Sequence, residues 1–217
     1  MTVAYKFSRG LARVCFSTFG RWEVEGREAV PPRGRLLVVA NHQSNADPPV
    51  VAAALPRQAS FVGKSTLFHN PVASAVLKSW GVHPLDRNSR DAQGPLWIIH
   101  TLEREQAVAI FPEGTRSPRG LRKASHGAAY MALKTHTPIL PVGIIGTENV
   151  TAMWRILFPF CRIRVVIGQP FSLPSIEGKP SDAVLDSLTE MIMLRIAALL
   201  PEEYRGVYSQ TRSQAGT

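Results

Sequence analysis

Short apolar runs bounded by polar turns recur along this chain, with longer stretches of helical apolar spacing between them. The runs at 22–25, 36–40, 59–62, 82–85, 107–111, 139–145 and 163–167 predict strands. Residues 71–79, 91–104 and 127–134 predict helices. The run Leu36, Leu37, Val38, Val39, Ala40 carries no polar position, as expected of a buried strand. After Ser181 and Asp182, which suit a helix start, Val184, Leu185, Leu188, Ile192, Ile196 and Leu199 recur at helical spacing until Pro201. That pattern predicts a long helix packed on the core. Alternating strands and helices imply an α/β fold, a single domain at 22–205 whose central sheet is covered by helices. Residues 206–217 end in small polar residues and are expected to be a disordered tail.

The first 21 residues follow a different pattern. Tyr5, Phe7, Leu11, Val14, Cys15, Phe16 and Phe19 are interleaved with Lys6, Arg9, Arg13 and Arg21, predicting an N-terminal amphipathic helix over 1–21. Such a helix either lies on a membrane, basic residues at the head groups, or packs on its own domain. Charge interrupts it too often for a secretory signal, and nowhere does the chain reach the roughly 18 consecutive apolar residues of a spanning helix.

Composition narrows the partners. With 217 residues, 45% of them hydrophobic, the chain can bury one sizeable core. Lys and Arg number 25 against 16 Asp and Glu, a net charge of +9 that suits nucleic acid, anionic lipid or an acidic substrate. No nucleic-acid motif is present, and the basic residues are not interleaved with aromatics at any repeating spacing. A membrane surface with anionic lipid is therefore the expected partner, and nucleic acid is not. Cys15 and Cys161 form neither a close pair nor a metal-spaced cluster, which suits a reducing compartment. Gly63-Lys64-Ser65 imitates the end of a phosphate-binding loop, but Gln58 stands where that motif needs glycine. His69, His83, His100, His126 and His136 lack acidic or thiol partners at ligand spacing, so no metal site is expected.

Two polar segments carry candidate chemistry. Asn41-His42-Gln43-Ser44-Asn45-Ala46-Asp47 follows the buried run at 36–40, and Pro48, Pro49 and the apolar residues 50–55 predict a short helix behind it. A strand–loop–helix junction turns His42 and Asp47 back towards each other. Asp47 would then fix the imidazole tautomer, leaving the other nitrogen to take a proton from a hydroxyl. No Gly-x-Ser-x-Gly elbow supplies a protein nucleophile, so the hydroxyl would be the substrate's own. The same two residues also suit a plain helix cap and a turn. About seventy positions on, Phe111-Pro112-Glu113-Gly114-Thr115-Arg116-Ser117 breaks another apolar run. Gly114 permits positive φ and close backbone approach, so neighbouring amides, the Thr115 hydroxyl and the Arg116 guanidinium could converge on an anion. Glu113 would repel a phosphate and is assigned to orienting Arg116 or another donor, or to an acceptor hydroxyl. A solvated turn with a surface salt bridge accounts for this segment equally in kind.

The pattern His-x4-Asp followed by Phe-Pro-Glu-Gly-Thr-Arg-Ser resembles the glycerophospholipid acyltransferases, specifically the bacterial 1-acylglycerol-3-phosphate acyltransferases. Gly81-Val82-His83-Pro84-Leu85-Asp86-Arg87 is similar to the family's second block, and Thr137-Pro138-Ile139-Leu140-Pro141-Val142-Gly143-Ile144 to its fourth. The four blocks lie in the family's order within 41–144, and a looser likeness runs from about 20 to 170. The resemblance implies that His42 and Asp47 are catalytic and that Arg87, Glu113, Gly114, Thr115 and Arg116 bind the acceptor. It implies lysophosphatidic acid as acceptor, an acyl thioester as donor (acyl-CoA or acyl-carrier protein, the latter then a protein partner), phosphatidic acid as product, and no cofactor or metal. It also implies a peripheral or monotopic place on the cytoplasmic face of the cell membrane. Other lysolipids or lipid hydroxyls remain alternative acceptors; a phosphohydrolase and a non-catalytic lipid-binding module are the rival functions.

Two departures stand out. Ser125 replaces a lysine common two places before Gly127, with Arg122 or Lys123 as substitutes for its phosphate contact. Glu103-Arg104-Glu105-Gln106 occupies a turn where a glycine would be common.

Overall fold

A computed structural model of the chain describes residues 3–85, 93–176 and 178–209. Seven strands form one sheet in the order β1-β7-β6-β2-β5-β3-β4. They are β1 (Arg21–Glu25), β2 (Leu36–Ala40), β3 (Ala59–Lys64), β4 (Val82–Leu85), β5 (Ala107–Ile110), β6 (Ile139–Ile145) and β7 (Arg162–Ile167). Each expected strand is present, within two residues at its ends. All pairs are parallel except β6 with β7. The helices are α1 (Val3–Phe19), α2 (Asp47–Ala54), α3 (Pro71–Ser79), α4 (Gln93–Glu103), α5 (Gly127–Thr135) and α6 (Asp182–Ala197).

Period-2 geometry explains the apolar run of β2. Leu36, Val38 and Ala40 join the core beneath α1 and α2, while Leu37 and Val39 join the core beneath α4, α5 and α6. In β6, likewise, Leu140, Val142 and Ile144 face the first core and Ile139 the second. On α6, Leu185, Leu188, Ile192 and Ile196 are buried in the second core, as its spacing predicts. Ser181 caps that helix by accepting the Val184 N–H.

The turn before β5 shows how a departure is accommodated. Glu105 adopts φ 59°, the left-handed conformation a glycine would take readily. Its carboxylate accepts from the Arg35 guanidinium at 2.9 Å and the Arg35 backbone N–H at 3.2 Å, which holds it there.

α1 packs on its own domain and turns Arg9 and Arg13 inward, while Lys6 is exposed. Tyr5, Ala12, Cys15 and Phe16 are buried against the core. Arg13 donates to the Ala53 carbonyl at 2.7 Å, and Arg9 to the carbonyls of Leu55 and Pro56 at 3.3 and 3.2 Å. These arginines satisfy the C-terminal carbonyls of α2, where cations are also favoured by the helix dipole. The expected meeting of Arg9 and Arg13 with lipid head groups is thus replaced by an internal role. The outward face carries Val3, Phe7, Leu11 and Val14 at helical spacing, all exposed. Among the described residues no helix is long and apolar enough to cross a membrane. Of the expected tail, Gly206–Tyr208 form a 3-10 turn, its Val207 N–H bonded to the Leu121 carbonyl, and 210–217 lie outside the described residues.

Candidate active site

Strands β6, β2 and β5 are neighbours, and the parallel pair β2 and β5 both open at their C-terminal ends into the polar segments singled out by sequence. Ligands in open α/β sheets commonly gather at such ends. Asn41 extends the β2–β6 pairing by side chain: its amide donates to the Ile144 carbonyl at 2.8 Å and its oxygen accepts the Ile144 N–H at 2.7 Å.

His42 is held from three sides. Its N–H donates to Glu113 Oε1 at 2.9 Å, and its carbonyl accepts the Ser117 N–H at 2.6 Å. Its ring stacks on Phe111, centroids 4.2 Å apart and planes 20° from parallel. Nδ1 lies 2.6 Å from Asp47 Oδ2. The side chain is 18% exposed, and Nε2 has no hydrogen-bond partner among the described residues.

Asp47 departs from the expected helix cap. It is the first residue of α2, makes no cap bond to that helix, and turns its fully buried carboxylate back into the loop. Oδ2 accepts the N–H groups of Gln43 at 2.6 Å and Ser44 at 2.8 Å besides His42, and Oδ1 accepts the Thr147 hydroxyl at 2.5 Å. Because this carboxylate only accepts, His42 Nδ1 is the donor and Nε2 is the bare, basic nitrogen.

Thr147 arrives from β6. Gly146, φ 92°, makes the turn; a Cβ there would sit 1.9 Å from the Arg162 carbonyl oxygen, so only glycine fits. The Gln43 amide oxygen lies 3.0 Å from the Thr147 hydroxyl, and the buried Gln43 nitrogen has no partner among the described residues. A hydroxyl has one proton, and here it goes to Asp47. The network therefore closes with the Gln43 amide turned over, its nitrogen donating to Thr147 and Thr147 to Asp47.

Glu113 does not orient Arg116. Its carboxylate is turned inward, accepting the N–H of His42 on one oxygen and the N–H of Arg122, at 2.9 Å, on the other. Burial pushes its carboxyl above the usual glutamate range, and the two N–H donors oppose that rise. Gly114 takes φ 67° in open space, so backbone conformation and not room demands glycine. Its N–H bonds the Phe111 carbonyl at 3.0 Å and is thereby withdrawn from the expected anion cradle. Thr115 and Arg116 are exposed, and their backbone N–H groups, the hydroxyl and the guanidinium have no partner among the described residues. Arg119, Arg122 and Lys123 are exposed on the same segment. Ser125, at the lysine position, bonds the Pro112 carbonyl through its N–H at 3.1 Å. Arg87 lies outside the described residues. His83 stacks on Trp97 at 4.4 Å and has its imidazole pKa lowered by burial, which fits a packing role.

Sequence reasoning missed Thr147, Gln43 and the Arg122 amide. Thr147 is 100 residues from Asp47, and its one local sign is a Gly-Thr step after an apolar strand.

Comparison with known proteins bears on the family and the fold. The sequence profile of the acyltransferase family matches residues 21–145. The 1-acyl-sn-glycerol-3-phosphate acyltransferase of Bacillus subtilis is 26% identical over 196 residues, covering 90% of this chain and 96% of that protein. Its namesake from Borreliella burgdorferi is 32% identical over 129 residues, covering 58% of this chain and 52% of its own length. The crystal structure of the 1-acyl-sn-glycerophosphate (LPA) acyltransferase from Thermotoga maritima has a TM-score of 0.71 at 26% identity, covering 90% of this chain and 78% of that one.

Proposed function

The chain belongs to the acyltransferase family, and from that premise we propose that it moves a fatty acyl group from a thioester to the sn-2 hydroxyl of 1-acylglycerol-3-phosphate, giving phosphatidic acid. The observation that carries this reading is His42: Nδ1 bound to a buried carboxylate, Nε2 bare, and beside it a loop whose Thr115 and Arg116 donors are unused.

The acceptor's phosphate is held by the Thr115 and Arg116 N–H groups, the Thr115 hydroxyl and the Arg116 guanidinium, with Arg87 as a further cation. Gly114 supplies the turn and Glu113 fastens the loop to His42. Binding there holds the sn-2 hydroxyl near Nε2. Nε2 takes the hydroxyl proton while the oxygen attacks the thioester carbonyl carbon; the tetrahedral oxyanion then collapses, the C–S bond breaks, and the thiolate leaves with a proton from the imidazolium. Asp47 stabilises that imidazolium and keeps the tautomer. Acyl-CoA and acyl-carrier protein both fit as donors, the latter as a protein partner.

The lipid acceptor places the enzyme at a membrane surface, on the cytoplasmic face where acyl thioesters are found. Attachment runs through the outward apolar face of α1, against anionic lipid attracted by the net charge of +9. Purified full chain assayed for thiol release with a panel of lysolipids and both donor types tests the reading. Turnover on 1-acylglycerol-3-phosphate well above that on neutral lysolipids is expected; phosphate release without an acyl donor, or no turnover on any thioester, would refute it.

A further inference from the structure

The segment 153–160, Met-Trp-Arg-Ile-Leu-Phe-Pro-Phe, turns most of its side chains away from the core. Ile156 packs inward and Pro159 is buried. Met153, Trp154 and Phe160 are 67%, 61% and 63% exposed, and Leu157 and Phe158 are exposed as well. Arg155, the segment's one charged side chain, is turned back on the segment. Its guanidinium donates to the carbonyls of Asn149 and Pro159 at 2.9 and 2.8 Å, closing the turn and leaving the aromatic residues outermost. Contiguous large apolar side chains held outward in this way mark an interaction surface.

This surface is continuous with two others. The Phe160 N–H bonds the Phe19 carbonyl at 2.9 Å, and the Phe19 ring meets Phe158 and Phe160 edge-on, centroids 4.7 and 6.0 Å away. The turn is thus joined to the end of α1. On its other side Met153 sulfur accepts from the Asn45 amide at 3.7 Å, within the loop that carries His42 and Asp47. Neither 1–22 nor 150–167 contains an aspartate or glutamate, whereas Lys6 and Arg21 are exposed. Tryptophan and phenylalanine in a segment that itself carries no carboxylate suit the interfacial layer of an anionic bilayer, and Glu23 nearby is paired with Arg162.

We propose that residues 153–160 are a second membrane anchor, seated in an anionic lipid interface beside α1, which brings the His42 loop to the acceptor's depth. The proposal rests on the reading of the acceptor as a lipid, and its test has a readout independent of turnover. The full chain is mixed with vesicles of phosphatidylglycerol and phosphatidylethanolamine carrying brominated acyl chains, and tryptophan emission is followed for wild type and Trp154→Phe. The proposal expects a lipid-quenched component in wild type that is absent from Trp154→Phe, although both bind vesicles alike. Trp154→Ser with Phe160→Ser should weaken vesicle partition about tenfold or more, since each removes a side chain worth at least that factor when buried. Turnover on a short-chain, water-soluble acceptor should be unchanged in that double variant. Equal quenching in wild type and Trp154→Phe, or unaltered partition of the double variant, would overturn the proposal. Self-association in the absence of vesicles that the double variant abolishes would reassign the surface to a second copy of the chain. If Trp154 quenching is seen but wild type acylates no lysolipid, the anchor stands and the proposed reaction falls.

Discussion

The two loops that meet at His42 are built in opposite ways. In 41–47 the polar groups are matched to one another: Asp47 alone accepts four donors, and Glu113 and Ser117 reach across to fix the His42 backbone. At 115–116 the donors point to solvent and bond to nothing in the described chain. A proton-transfer group must hold one tautomer and one orientation, so its surroundings are fully committed. An anion-binding group needs donors that are still free, so its surroundings are left open. On the proposed reaction the contrast divides the work, with chemistry in the closed loop and capture in the open one.

Removing the imidazole breaks the closed loop most severely. His42→Ala should lower acyl transfer by roughly 10²- to 10⁴-fold, the range for a general base, while circular dichroism and vesicle binding stay near normal. Substantial retained turnover would take His42 out of the chemistry.

Glu113→Gln should disturb the tie between the loops. One backbone N–H would face an amide NH₂ in place of a carboxylate oxygen, costing about 1–3 kcal/mol and lowering Tm by a few degrees at least. There is a pH signature with a definite sign. A carboxyl raised by burial binds its proton more tightly in the folded state, so its contribution to stability is present below the unfolded pKa and lost as pH rises through the raised folded value. Denaturant midpoints across that window should fall with pH for wild type by more than for Glu113→Gln. Parallel slopes would remove Glu113's burial from the stability balance.

Thr147→Val, the smallest of these effects, deletes one hydrogen bond to Asp47 while preserving shape. A loss of about 0.5–1.5 kcal/mol, or roughly two- to tenfold in kcat, is expected. A kcat identical to wild type would show that Asp47 is oriented without Thr147.

Much of the fold and part of the site were legible in the sequence. Strand β2 could be read because a run without polar residues has few other homes than a doubly covered strand, and His42 with Asp47 could be paired because a strand–loop–helix turn is local. The direction of Asp47 was not legible. As a helix cap it would have pointed into α2, but the loop amides and Thr147 offered more donors in the other direction. Thr147 depends on β6 lying beside β2, a long-range pairing that no local pattern encodes. In α1 the alternation of basic and apolar residues was visible, yet which face turned outward was decided by the carbonyl end of α2, which Arg9 and Arg13 satisfy. The Glu105 turn was flagged by its missing glycine, and the partner that holds it, Arg35, sits 70 residues away.

The division between closed and open loops is tested most directly by two substitutions on two acceptors. kcat/KM would be measured for wild type, Asp47→Asn and Arg116→Ala with 1-acylglycerol-3-phosphate and with its phosphate-free analogue, using one thioester donor. Asp47→Asn should lose activity by the same large factor on both acceptors, because it favours the wrong imidazole tautomer whatever is bound. Arg116→Ala should lose roughly ten- to a hundredfold on the phosphate-bearing acceptor, the worth of one charge-assisted contact, and little on the neutral one. Equal losses from Arg116→Ala on both acceptors would contradict the account.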